Sequence, residues 1–418
     1  MGLYKPAGKC LLLKSKQDYS AAAGDANEKY LASQGITLTN YFATTHPSEP
    51  NYCAVVAGEN FGMENDDFHA IPSNVSTVVD LLDTKGISWA EYQEDLPYPG
   101  FEGFNYSNQV TFANDYVRKH DPLILFDSVT QNATRLDLIK NFTSFNDDVQ
   151  KQKLPQWAFI TPNMTDDGHD TNITFAAKWE RSWITPLLNN SYFMENTLIL
   201  LTFDENESKT KPNKVFAILL GGAVPDSLKG TTDDTFYNHY SAISSVSVNW
   251  GLPSLGRWDC NANVFKIVAN KAGYVNYDVD TTHLFFNKSY PGPLSDTEYI
   301  PIWPAPDTSA KCAAGKGVLQ AVVGTWSQST PTYNYSSPYP YDAANGVNTG
   351  GSATRPSSNS TSTSASASAS SPTATSSSTA SATSSSASAA SPSSAASPFT
   401  TISTSLLGFL TGLAAFIN

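Results

Sequence analysis

The chain has 418 residues, 40% hydrophobic and 12% aromatic, enough apolar material to bury a sizeable core. Its 25 Lys and Arg against 38 Asp and Glu give a formal charge of −13, which argues against nucleic acid as a partner, since a phosphate backbone is held by clustered cations. The four cysteines show neither a CxxC pair nor zinc-site spacing.

In chain order, the first 17 residues are atypical. Leu11 to Leu13 form the one apolar run there, no basic-then-apolar leader is visible, and Pro6 stands where a myristoylation signal wants Ser or Thr. We expect residues 1–17 to misstate the natural N-terminus. Residues 36–44, ITLTNYFAT, read as a strand, and Pro50 suits the first turn of a helix in PNYCAVVAG. STVVDLLDTKG reads as a helix closed by Gly86, and GISWAEYQ as a strand. QWAFITPN is a strand ended by Pro162, while NTLILLTFDE and KVFAILLGG are further buried strands. HYSAISSVSVNWGL and NANVFKIVANKAG look helical, the second with Asn261 or Asn263 as cap and Gly273 as stop. Continuous apolar strands alternating with helices predict an α/β fold with a largely parallel sheet. We assign residues 18–310 to one catalytic domain and 311–350 to an extension. Cys260 and Cys312 flank the end of that domain and can pair in an oxidising compartment, Cys53 reads as a buried thiol, and Cys10 lies in the atypical start.

The C-terminal part is of another composition. Residues 351–398 are almost entirely Ser, Ala and Thr with some Pro, which predicts a disordered, O-glycosylated stalk. Residues 399–418 carry no charged side chain, and their apolar part is short for a membrane span. Small residues, a spacer and an apolar tail form the pattern of a GPI-anchor signal, with cleavage expected between Ser391 and Ser397; an ordinary frayed tail is the plainer alternative. Asn-x-Ser/Thr sequons recur at Asn74, Asn105, Asn132, Asn141, Asn172, Asn189, Asn206, Asn287, Asn334 and Asn359, a density that predicts passage through the secretory route.

Three polar clusters directly follow predicted strands: THPSEPN, TPNMTDDGHD and DENES. In open α/β sheets ligands bind outside the carboxyl ends of the strands, so these segments are expected to share one rim. Ser48, between Pro47 and Pro50, is at a stiff corner and a helix N-terminus, where backbone N–H groups favour a phosphoryl group. It is either a cap or a nucleophile that needs a base or metal. Asn51 can donate to the same oxygens. Asp204 and Glu205 are either helix-capping, solvated acids or ligands for a hard cation. His169, among Asp166, Asp167 and Asp170, is either part of an acidic turn or a ligand for metal or phosphate. Asn163 lies in a sequon, and His239 opens a predicted helix, where a lone imidazole is more often packed than ligating. His46, His69, His120 and His283 are left structural.

HPSEPNY, DDGHD and TFDENE, in this order, resemble the fungal acid phosphatases of the phosphoesterase family, which are related to bacterial acid phosphatases and phospholipases C and belong to the alkaline-phosphatase-like superfamily. The resemblance spans about residues 18–303. It implies a three-layer αβα sandwich, hydrolysis of small phosphate monoesters through a phosphoserine at Ser48, and one or two divalent metal ions. Ser48, Asn163, His169, Asp204, Glu205 and His239 would hold metal or phosphate oxygens; Ser48, Asn51 and His169 would be the catalytic set. Members carry a Glu-Asn pair after the first strand, where this chain has Ser15 and Lys16. Neither replaces an anionic ligand, so either the start is misstated or a metal site is lost. The expectation is a secreted, GPI-anchored acid phosphatase. The alternatives are a phosphodiesterase or phospholipase C of the same fold, or a non-catalytic cell-wall glycoprotein.

Overall fold

The apolar runs become an eight-stranded sheet. A computed structural model describes residues 9–282, 284–332 and 353–354, all within one compact unit. His283, the sequons at Asn334 and Asn359, nearly all of the predicted stalk and the apolar tail lie outside the described residues. In chain order the strands are β1 (Lys9–Lys14), β2 (Ile36–Phe42), β3 (Trp89–Gln93), β4 (Asn105–Ser107), β5 (Asn114–Val117), β6 (Ile139–Asn141), β7 (Trp157–Thr161), β8 (Leu198–Phe203), β9 (Ala217–Leu220) and β10 (Thr231–Asn238). The sheet runs β10-β2-β9-β8-β1-β7-β3-β6, while β4 and β5 pair separately. Five of its pairings are parallel. Only β9 opposes its neighbours β2 and β8. Residues 204–216 hold no helix, and a chain without a crossover element returns antiparallel.

Helices cover both faces, which gives the expected three layers. Leu11, Leu198 and Leu200 meet Val55, Val78, Ala242 and Val246 on one face. That layer holds helices α3 (Ser48–Ala57) and α4 (Val78–Asp83) with the helices Tyr240–Trp250 and Lys266–Ala272. On the other face α1 (Tyr19–Gly24) and α2 (Ala26–Ala32) pack with the helix Ile173–Leu188. Side chains alternate along a strand, so Lys14 points from β1 into this second layer. There it is fully buried between Glu28 (2.6 Å) and Glu180 (2.5 Å), with its ammonium 4.1 Å from the centre of the Phe203 ring.

One helix start agrees with expectation and one differs. α3 begins at Ser48 itself, with Pro50 inside its first turn. The helix expected after Asn261 or Asn263 begins at Lys266, because the Asn263 amide is used to bridge Phe236 and Tyr277 carbonyls at 3.0 and 2.9 Å. Gly273 ends it as expected, at φ 68°. Cys260 and Cys312 form a disulfide and Cys53 is a buried thiol.

Register decides where the polar clusters go. Leu12 pairs with Ile160 and with Leu201, so β7, β1 and β8 end level. The Asp204 N–H donates to the Lys14 carbonyl at 2.8 Å, which places Ser15 beside the acid pair at the carboxyl edge of the sheet.

Candidate active site

Every residue of α3 is buried, so polar groups at its N-terminus must find partners within the protein. Asn51, one turn in, holds the corner together. Its Oδ1 accepts from Thr44 N and Oγ1, both 2.9 Å, and from Thr45 N at 3.2 Å; its Nδ2 donates to the Thr45 and Pro47 carbonyls at 2.8 and 3.0 Å. The amide expected to meet phosphate oxygens is thus turned to the loop backbone, and Asn51 fixes Ser48 in place. Asn213 ties the same loop from the other side, donating to the Thr45 carbonyl at 2.8 Å while accepting from Asn206 N at 2.8 Å.

The Ser48 hydroxyl lies against the Asp204 carboxyl and pulls its pKa down as a hydrogen bond does. That effect is overcome. Burial first, then the charge of Glu205, push Asp204 well above the usual carboxylate range. Its Oδ1 accepts from Glu205 N at 2.6 Å, and its Oδ2 has no well-aligned partner among the described residues. Glu205 is paired with His46, whose other nitrogen is 3.3 Å from Asn287 Oδ1. His239 is buried between the Asp204 carbonyl, 2.6 Å from Nε2, and the Tyr41 hydroxyl, 3.3 Å from Nδ1. The carbonyl can only accept, so Nε2 carries the proton. Burial lowers this imidazole to about 4. With both nitrogens engaged, His239 orients the Asp204 backbone and is not aimed at a ligand.

A second wing comes from the β7 loop. Asp167 is fully buried; burial raises it to about 7 although its Oδ1 accepts from His169 N at 2.7 Å. His120 Nδ1 is 3.1 Å from Asp167 Oδ2. The His120 ring stacks on Tyr52 with centroids 4.8 Å apart, and burial drives its pKa well down. Tyr52, one turn from Ser48, is buried among the fields of Asp204 and Asp167, and Asp167 also acts on Asp204. The two wings therefore meet at α3. His169 faces His120 at 5.9 Å, with Nδ1 2.8 Å from Asp170 and Nε2 3.2 Å from the Lys119 ammonium.

Ser48, Asp204 and Glu205 are thus brought together, and His169 reaches them through Asp167 and His120. Asn163 is drawn away: its Nδ2 donates to Asp95 at 2.7 Å, and its Oδ1 caps Thr165 and Asp166 at 2.9 and 2.8 Å. Sequence reasoning passed over His46, Tyr52, Lys119, His120 and Asp66. His46, two residues before Ser48, was the one with a local signal; the others meet the site only through the fold. His69, left structural, braces Glu49 at 2.8 Å.

The donor set fits a hard cation in part. Buried carboxyls with an open oxygen at Asp204, beside the unpartnered Ser15 hydroxyl, are oxygen ligands without a counter-charge. Among the described residues, however, no three His, Cys, Asp or Glu side chains are grouped to hold a metal ion. Ser15 and Lys16 supply no carboxylate at this edge.

Three comparisons bear on this arrangement. An acid phosphatase of Aspergillus fumigatus is 69% identical over 341 residues, 81% of this chain and 76% of that protein. An acid phosphatase of Aspergillus niger is 56% identical over 346 residues, 82% of each. A solved protein of the alkaline phosphatase superfamily from Vibrio parahaemolyticus aligns over 59% of this chain and 67% of its own at 11% identity, with a TM-score of 0.39, a likeness too slight to build on. The phosphoesterase family profile matches residues 19–253, the stretch that contains Ser48, His120, Asp167, His169, Asp204, Glu205 and His239, and the chain belongs to that family.

Proposed function

We propose that the protein is an acid phosphatase that hydrolyses phosphate monoesters through a phosphoserine at Ser48. The observation that carries this reading is the buried Ser48 hydroxyl at the head of α3, held against a carboxyl whose pKa is raised; the names of the Aspergillus relatives agree with it. Ser48 Oγ attacks phosphorus as the ester P–O bond breaks. The serine proton leaves toward the ionised Asp204 carboxylate, which the Ser48 hydroxyl already meets. The departing oxygen takes up a proton and leaves as an alcohol. Water then cleaves the Oγ–P bond, orthophosphate is released and Ser48 regains its proton. Asn51 and Asn213 hold the corner, and His46 holds Glu205. A divalent cation held by Asp204, Glu205 and Ser48 would keep the carboxyls ionised and neutralise charge developing on the phosphoryl group.

The reading extends to a secreted, GPI-anchored enzyme. Exposed sequons at Asn74, Asn105, Asn132, Asn172 and Asn189 and the Cys260–Cys312 disulfide support it, although Asn206 is buried and accepts from Tyr19 N. The test is turnover of 4-nitrophenyl phosphate and of bis(4-nitrophenyl) phosphate by the full chain and by Ser48→Ala, with acid-quench trapping of a phosphoenzyme. Monoester turnover and trapped phosphate that vanish together in Ser48→Ala are expected. A Ser48→Ala protein as active as the parent refutes the reading, and a preference for the diester reassigns the substrate.

A further inference from the structure

We propose that Lys119 is a substrate-contacting residue, whose ammonium binds the terminal phosphoryl oxygens and selects phosphate monoesters and orthophosphate over diesters. The proposal rests on the Ser48 reading above and adds the group that recognises the substrate's charge.

The place of Lys119 is fixed by two contacts. Its Nζ is 3.0 Å from Asp66 Oδ2 and 3.2 Å from His169 Nε2. The other oxygen of Asp66 accepts from Glu49 N at 2.9 Å, and Glu49 directly follows Ser48. A single carboxylate therefore tethers the ammonium beside the first turn of α3. His169 Nδ1 faces the Asp170 carboxylate at 2.8 Å, which assigns the proton to Nδ1 and the lone pair to Nε2. The ammonium donates to that lone pair. An ammonium has three N–H donors; two are spoken for, and the side chain keeps 16% of its surface open, which leaves one N–H for a ligand.

Two other cations of this region, Arg118 and Lys14, are otherwise committed. Arg118 gives its guanidinium to the Glu102, His69 and Ile124 carbonyls and lies over Phe68. Lys14 is locked between Glu28 and Glu180 on the opposite face of the sheet. Acids crowd the head of α3: Glu49 and Asp66 at its first turn, with Asp204, Glu205 and Asp167. A phosphate monoester dianion brought among them is repelled unless a cation meets it. A lysine ammonium does so as a point charge, and it rewards the dianion more than a singly charged diester.

The experiment uses the full chain. Lys119→Met is expected to lower kcat/KM for 4-nitrophenyl phosphate about 100-fold, as loss of a charge-assisted hydrogen bond does, and to change bis(4-nitrophenyl) phosphate turnover less than about threefold. Lys119→Arg restores most of the loss. Calorimetric titration of the resting protein with orthophosphate gives weakened binding in Lys119→Met, with no turnover involved. The proposal is overturned if Lys119→Met lowers both esters equally or if orthophosphate binding is unchanged; either result makes Lys119 a brace between Asp66 and His169. Failure of the Ser48 reading looks different: Ser48→Ala stays active, while the orthophosphate titration still reports on Lys119.

Discussion

Replacing Asp167 by Asn should change how the stability of this protein depends on pH. Asp167 is fully buried and burial raises it to about 7, against 3.8 for the free side chain. The folded state therefore holds a proton that the unfolded state has released across this window. Its contribution to stability is complete below the unfolded value of 3.8 and is lost as pH climbs through about 7. The gap is about 3 units at 1.36 kcal/mol each, or about 4 kcal/mol. Asn keeps an oxygen for the His169 N–H, 2.7 Å away, and does not titrate. Relative to the parent, Asp167→Asn should gain about 4 kcal/mol of stability between pH 4 and 8, which is about 8 °C in Tm at roughly 2 °C per kcal/mol for a domain of this size. The assay is paired thermal unfolding at half-unit pH steps, with chelator present so that no cation offsets the carboxylate. Groups common to both proteins cancel in the difference. A Tm difference that stays constant within about 2 °C from pH 4 to 8 would show that Asp167 titrates as an ordinary carboxyl and that the desolvation argument for this wing is mistaken.

Two further outcomes follow from other parts of the fold. Lys14→Met leaves Glu28 and Glu180 buried without their cation and should cost about 3–5 kcal/mol in denaturant unfolding at pH 7; a loss below ~1 kcal/mol would mean the triad is not a net holder of the second helical layer. Ser15→Glu with Lys16→Asn puts a carboxylate next to Asp204. Elemental analysis should then find more divalent metal bound per chain than in the parent, together with chelator-sensitive turnover, and equal metal content in both proteins would count against a cation at this edge.

What the sequence made legible was local. Apolar runs became strands, acids and imidazoles that follow them came to one edge, and the two prolines marked the Ser48 corner. Three things were not local. Strand direction leaves no trace in periodicity, so the reversed β9 had to be found in space. β10, with the sequence TTDDTFYN, is a polar edge strand whose exposed residues hide it from an apolar scan. Partners are also invisible. Asn51 looks like a free amide in HPSEPNY until the loop folds back onto it, and Glu205 looks solvated until His46 arrives. Lys119 and Asp66 are 53 residues apart and mean nothing separately. The buried Lys14 was concealed because a lysine closing a short apolar run reads as the end of a strand, not as the centre of an ion triad.

Burial shifts the titratable groups around this edge toward their neutral forms. Burial raises Asp166 and Asp121 to about 6, Asp167 to about 7 and Glu94 to about 9. Burial also lowers His239 to about 4 and His120 well below its ordinary value. Below pH about 6 these carboxyls are mostly protonated, and above about 4 the His239 imidazole is neutral. Between those limits the interior around the sheet edge carries the fewest uncompensated charges. Moving to neutral pH ionises buried acids one after another, each against a desolvation cost. The same burial that positions Ser48, Tyr52 and His120 thus makes a mildly acidic medium the one in which these buried acids cost the fold least.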